Sequence, residues 1–150
     1  MSMRLPLTDP SQPHLKVGDF DLGVVAGGLN AVRWRGVEVL RGVHCLVRDE
    51  NWATFAPENY ATTMSTDSGL SEGTFRQTFE LGGLAAVDLT VSADHAGCLE
   101  LSIEVTAKRD FLTNRTGLVV LHPIREVAGT KLTVLPAAKM TDGRTSAPVR

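Results

Sequence analysis

The sequence predicts an all-β protein, an antiparallel β-sandwich of about eight strands with little or no helix. Apolar and polar residues alternate with a period of two over long stretches, and links that contain glycine separate those stretches. No apolar stripe repeats with the 3.6-residue period of a helix. Short strands joined by tight turns are typical of sandwiches and barrels.

The clearest alternation lies within residues 73 to 107, in the segments "GTFRQTFEL", "LAAVDLTVSAD" and "CLELSIEVT". Gly82-Gly83 joins the first two and can take the positive φ angles of a primed hairpin turn, and "DHAG" joins the last two. We therefore predict a three-stranded antiparallel meander in which Phe75, Phe79 and Leu81 face the core.

Upstream, "GDFDLGVV", "LNAVRW" and "VEVLRGVHCLVRD" read as strands, with turns at Gly27-Gly28 and Arg35-Gly36. A weaker, threonine-rich strand is predicted for "ENYATTMSTDS". Residues 37 to 48 and 116 to 122 are apolar without clean alternation, which predicts central strands covered on both faces. Cover of that kind needs further chain, so we expect either a homodimer or a covalently linked enzyme domain.

The length and composition indicate one ordinary globular domain. The chain has 150 residues, of which 43% are hydrophobic and 21% charged, and its net charge is -2, so neither a nucleic-acid partner nor a membrane partner is expected. We predict a flexible N-terminal segment over residues 1–15, the sandwich over 16–135, and an irregular tail over 136–150, which belongs either to a truncated domain or to a stand-alone module. Without a signal peptide or an apolar span, a cytoplasmic protein is expected.

The two cysteines indicate free thiols rather than a disulfide or a metal site. Periodicity turns Cys45 inward and Cys98 outward, and their spacing is not that of metal ligands. No phosphate loop, nucleophile elbow or dinucleotide motif is present. We therefore expect no metal and no cofactor.

Polar and aromatic residues cluster at predicted strand ends, and each has a functional and a structural interpretation. His122 is either a proton-transfer residue or a rim histidine bonded to backbone. Asp49 is either a base or part of a strand-end ion pair or turn. Arg115 with Asn114 either binds ligand oxygens or fixes a loop, and Trp52 is either a sugar platform or a lid.

The strand between Arg115 and His122 should span about 20 Å, at about 3.3 Å per residue, so these two side chains cannot hold one small ligand together. Of the two ends, that of His122 is the better candidate for chemistry than that of Asn114 and Arg115, and it could also receive Asp49 or Trp52.

Two separated motifs resemble a known family. The segments are "RDENW" at 48–52 and "FLTNRTGLVVLHP" at 111–123, followed by Ala128-Gly129. They resemble the N-terminal part of bacterial D-apionate lactonase-like proteins, over about residues 17 to 134.

The resemblance implies hydrolysis of a sugar-derived lactone in the breakdown of the branched sugar apiose, with a sugar acid or lactone as the small-molecule partner. His122 or Asp49 would serve as base, Arg115 or Asn114 as hydrogen-bond donor, and Trp52 in substrate binding. Members of that family are longer, so these 150 residues alone are expected to be inactive. The alternatives are a non-catalytic β-sandwich module for sugar binding or interaction and, on fold class alone, a mutarotase-like domain.

Overall fold

Nine strands form two antiparallel sheets in the computed structural model, which describes residues 12–131 and 133. The five-stranded sheet has the order β1-β2-β3-β4-β9, and the four-stranded sheet has the order β5-β6-β7-β8. The elements are β1 (His14–Val17), β2 (Phe20–Val25), β3 (Gly28–Trp34), β4 (Val37–Asp49), β5 (Pro57–Thr66), β6 (Glu72–Leu81), β7 (Ala85–Asp94), β8 (Leu99–Ala107), β9 (Thr113–Leu121) and α1 (Ile124–Val127).

The predicted fold class is confirmed. The described residues contain one helical turn, α1, and one strand more than the eight or so predicted. The additional strand is β1, which begins at His14, two residues before the predicted start of the domain at residue 16. The predicted tail over residues 136–150 lies outside the described residues, as does most of the segment 1–15.

The predicted meander is confirmed as β6, β7 and β8. In β6 and β7 buried and more exposed residues alternate along the whole strand, because each strand has one face on the core and one toward water. Gly82 and Gly83 both have positive φ, 55° and 64°, as a primed turn requires. The four-stranded sheet is completed by β5, the threonine-rich strand.

The first strands of the five-stranded sheet follow one another as hairpins. Arg35 and Gly36 link β3 to β4 with φ of 51° and 79°, and two positive φ angles in succession are the mark of a type I′ turn. Between β2 and β3, Gly27 takes a φ of 77° while Gly28 already belongs to β3. The upstream strands and their turns are therefore as predicted, with Gly27 carrying the positive φ.

The central position predicted for residues 116 to 122 is wrong. β9 pairs with β4 and forms the edge of the five-stranded sheet, so one side of its backbone has no strand beside it. β4 is an inner strand, next to the edge. The cover predicted on both faces is absent within residues 12–131, because β9 is largely exposed and half of β4 is only partly buried.

The core lies between the two sheets. Its largest fully buried side chains include Phe75, Leu22, Leu29 and Leu89, which come from both sheets. The sheets approach closely at Gly73, where a Cβ atom would lie 2.3 Å from the Cγ2 atom of Val17. The two free cysteines behave as predicted, because Cys45 is buried in this core and Cys98 is exposed.

Candidate functional site

A tight turn over residues 49 to 53 closes the C-terminal end of β4. The Oδ1 atom of Asp49 accepts hydrogen bonds from the backbone N–H groups of Asn51, at 2.8 Å, and Ala53, at 2.9 Å. The backbone N–H of Asp49 donates to the carbonyl of Ala53 at 3.0 Å. Asp49 therefore organises this turn, as side-chain carboxylates commonly do by bonding to the backbone just after them.

The start of β9 lies against the same turn. Thr113 pairs with Asp49 and Arg115 pairs with Arg48, with a register shift between them. The Asn114 side chain donates from Nδ2 to the carbonyl of Glu50 at 2.6 Å, and the Thr113 hydroxyl donates to the carbonyl of Arg48 at 2.7 Å. The predicted loop-fixing role of Asn114 is thus visible in the structure.

Trp52 and Arg48 form the exposed part of this cluster. Trp52 has a φ of 69°, unusual for a residue with a large side chain, and 57% of the residue is exposed. The guanidinium carbon of Arg48 lies 5.8 Å from the centroid of the indole ring, within the range of a cation–π contact. The indole ring stands in solvent beside the basic group. We name Arg48, Asp49, Trp52, Asn114 and Arg115 the strand-end cluster.

His122 lies at the opposite end of the β4–β9 pair. Leu121, its neighbour, pairs with Gly42, whereas Asp49 pairs with Thr113. About seven residues of extended chain separate these pairs, a distance on the order of 20 Å. The prediction that Asp49 or Trp52 would join His122 is therefore wrong: both lie at the Arg115 end. The prediction that Arg115 and His122 lie at opposite ends is confirmed.

The two motifs thus meet in space along one strand pair. The sequence matches the family described as "D-apionate lactonase, N-terminal domain" over residues 3–148. The chain belongs to this family. It is 34% identical over 130 residues to the D-apionate lactonase of Brucella anthropi, in an alignment that covers 85% of this chain and 21% of that protein. No solved structure matches the chain.

This chain therefore spans about a fifth of the length of the curated D-apionate lactonase that it matches. The resemblance inferred from the two motifs is confirmed, and the chain is a lactonase-related N-terminal domain. Most of the relative's sequence has no counterpart among these 150 residues.

Within this D-apionate lactonase N-terminal domain, sequence reasoning missed one member of the cluster. Arg48 belongs to the "RDENW" motif, but the sequence assigns it no ligand or contact with Trp52; in the structure its guanidinium group lies over Trp52, and Asp49 bonds to the turn. The signal was its position directly before Asp49 in "RDENW". Its cross-strand partner, Arg115, is separated from it by more than 60 residues, and nothing local predicts that pairing.

The outer face of the five-stranded sheet continues from Arg48 to Leu46 and His44, which are both partly buried. Burial lowers the pKa of His44 below its ordinary value, because desolvation disfavours the charged imidazolium. This histidine is thus held neutral more strongly than an exposed one.

Two further features bear on the chemistry open to the described residues. Between residues 12 and 131, no three histidine, cysteine, aspartate or glutamate side chains lie together as metal ligands would. No helix in the described part of the chain has the length and apolar character needed to cross a membrane. The strand-end cluster itself offers two guanidinium groups and an exposed indole ring, which suit binding of a polar, anionic or sugar-like ligand.

Proposed function

We propose that this chain is the N-terminal β domain of a carbohydrate-catabolic enzyme that hydrolyses a sugar-derived lactone of the D-apionate lactone class. The observation that carries the proposal is the family match over residues 3–148, together with the contact between "RDENW" and the start of "FLTNRTGLVVLHP" in the strand-end cluster. The relative's printed name is D-apionate lactonase, and this chain covers 21% of it.

Hydrolysis of a lactone requires an activated water molecule and stabilisation of the oxyanion that forms at the carbonyl. The cluster supports the substrate-binding part of this task. Trp52 offers an apolar ring face to a sugar carbon skeleton, and Arg115 offers hydrogen-bond donors to its oxygens. Asn114 acts as a positioning residue, since its amide nitrogen holds the turn that presents Trp52.

Asp49 and His122 remain candidates for the proton-transfer step, but they cannot act together on one water molecule. The Oδ1 atom of Asp49 already accepts two backbone hydrogen bonds, and His122 lies at the far end of β9. The distance between Asp49 and His122 is compatible with one of them acting alone as the base, or with a base supplied by another part of a longer protein.

The test uses the whole product of the natural reading frame that contains residues 1–150, assayed for release of acid from D-apionate lactone. Lactonase activity supports the proposal, and its complete absence in a folded protein contradicts it. Within an active protein, Trp52→Ala should raise KM more than it lowers kcat. His122→Gln and Asp49→Asn should each lower kcat if the residue is a base.

The second candidate is a non-catalytic β-sandwich module for sugar binding or interaction. It is favoured by the same separation of Asp49 from His122, which leaves no acid–base pair among the residues predicted for chemistry. In that case neither His122→Gln nor Asp49→Asn changes kcat by more than about twofold, which is under 1 kcal/mol of activation free energy.

A further inference from the structure

Arg48 and Arg115 are direct cross-strand partners on the outer face of the five-stranded sheet. Their positions pair in the β4–β9 ladder, and Val47, which precedes Arg48, is fully buried on the inner face. Successive residues of a strand point to opposite faces, and paired residues share a face. The two arginine side chains therefore leave the same surface, with Cβ atoms about 4.5–5.5 Å apart.

Two positive charges directly opposite each other destabilise a sheet unless an anion lies between them. Among residues 12–131 and 133, no carboxylate forms an ion pair with either arginine. The Nε atom of Arg48 is also shielded from solvent without an acceptor for its hydrogen bond. That atom is closed to a ligand as well as to water, so a ligand would bind through the other nitrogens of the Arg48 guanidinium group and through Arg115, which is exposed.

The surface beside this pair has open space. Gly117 follows Arg115 on the same face of β9 and pairs with Leu46, and a Cβ atom added to Gly117 would meet no atom within 4 Å. On the other side, the exposed indole ring of Trp52 lies next to the Arg48 guanidinium. The pair thus has room for a ligand and an apolar ring surface beside it.

We propose that Arg48 and Arg115 form a carboxylate-binding site whose ligand is an open-chain polyhydroxy acid. The guanidinium groups donate to the two carboxylate oxygens, as planar arginine forks do, and the carbon chain of the acid lies against Trp52. The class of acid rests on the proposed function, because opening a sugar lactone produces such a carboxylate. A closed lactone is neutral, so this site favours the hydrolysed form over the lactone.

Trp52 provides a direct reporter. The chain has two tryptophans, so Trp34→Phe leaves Trp52 as the single one. In that background, D-gluconate should change the fluorescence saturably, whereas sorbitol, which has the hydroxyl groups but no carboxylate, should not. Arg115→Gln should weaken gluconate binding by at least about tenfold, as expected for a lost charge-assisted hydrogen bond. Arg33→Gln, on β3 and outside this pair, is the matched control and should bind as before.

Thermal unfolding separates a binding role from a structural one. Without ligand, Arg115→Gln should raise Tm, because it removes the repulsion between like charges, and it should abolish the rise in Tm that gluconate causes in the unsubstituted chain. A lower Tm for Arg115→Gln would show that this side chain supports the fold and would overturn the proposal. So would equal responses to gluconate and sorbitol, or no saturable response in the folded chain.

These results are independent of the lactonase assay. Gluconate binding by this chain, combined with no lactonase activity in the whole natural product, would leave the carboxylate site standing and remove the enzymatic proposal. Lactonase activity without gluconate binding would remove this site alone.

Discussion

The side chain of Gln77 in β6 accepts a hydrogen bond from the backbone N–H of Gly27, at 2.6 Å, across the interface between the two sheets. Gln77 is 1% exposed and is the one buried polar side chain within the described residues. Its Nε2 atom donates to the Thr62 hydroxyl at 2.8 Å, so both ends of the amide have partners. This contact joins the β2–β3 turn of one sheet to the middle of the other.

Gln77→Leu should destabilise the fold, although it keeps the size of the side chain and adds apolar surface. The Gly27 N–H would lose its acceptor inside the protein, which costs about 1–3 kcal/mol. Urea unfolding followed by circular dichroism measures the change. Thr62→Val is the control, because it removes only the Nε2 partner at an exposed position and should cost less. Equal losses for the two variants would contradict the importance of the Gly27 contact.

Asp49 should tolerate asparagine better than alanine. Asparagine keeps a side-chain oxygen that can accept from Asn51 and Ala53, whereas alanine leaves both N–H groups of this exposed turn to water. We expect a loss of about 1 kcal/mol for Asp49→Ala and less than half of that for Asp49→Asn. Denaturant unfolding gives both values, and in the Trp34→Phe background the fluorescence of Trp52 reports whether the turn persists. A loss for Asp49→Asn as large as that for Asp49→Ala would mean that the negative charge, rather than the oxygen alone, stabilises the turn.

Local periodicity predicted the fold class and the β6–β8 meander because adjacent strands joined by short turns leave a pattern in neighbouring residues. Periodicity did not predict the contact of Gln77. That residue shares the inward parity of Phe75 and Phe79, but its partner Gly27 lies 50 positions earlier in the sequence. The predicted central place of residues 116 to 122 failed for a related reason. An apolar run shows that a strand exists, and strand order is set by contacts that are distant in sequence.

In the candidate site, too, local features were predictable from the sequence and contacts between distant residues were not. The predicted site residues do lie at or next to strand ends, but the partners of His122 are wrong because residue parity does not give the direction in which two distant strands pair. The antiparallel β4–β9 pair places Asp49 beside Thr113 and leaves His122 at the other end. Family resemblance marked both motifs without indicating which of their residues touch.

His44 should make stability depend on pH in the mildly acidic range. Its folded-state pKa lies below the ordinary value of 6.5, so the unfolded chain takes up a proton at a higher pH than the folded chain does. The free energy of unfolding should therefore decrease as pH falls below about 6.5, until the folded-state pKa is reached. Urea unfolding between about pH 5 and 8 measures this slope. His44→Gln should reduce the slope, and an unchanged slope would assign it to other groups.

The edge strand β9 should mediate self-association of this chain. Between Thr116 and Leu121 it carries no charged residue, and Val120 and Leu121 are 47% and 45% exposed. Natural sheets protect such edges with lysine, proline or a covering element, because an unpaired apolar edge pairs readily with another strand. We expect a dimer in sedimentation velocity at micromolar concentration, formed by pairing of β9 with β9 of a second copy.

Val120→Lys tests this edge directly, since a charge at an exposed edge position opposes strand pairing without loss of a buried core residue. The variant should sediment as a monomer. Val37→Lys makes the same substitution at the exposed start of β4 and should leave the dimer intact. If both variants dissociate, general surface hydrophobicity rather than β9 drives association. If the unsubstituted chain is monomeric and does not bind the apolar dye ANS, the exposed residues of β9 are too few to recruit a second copy.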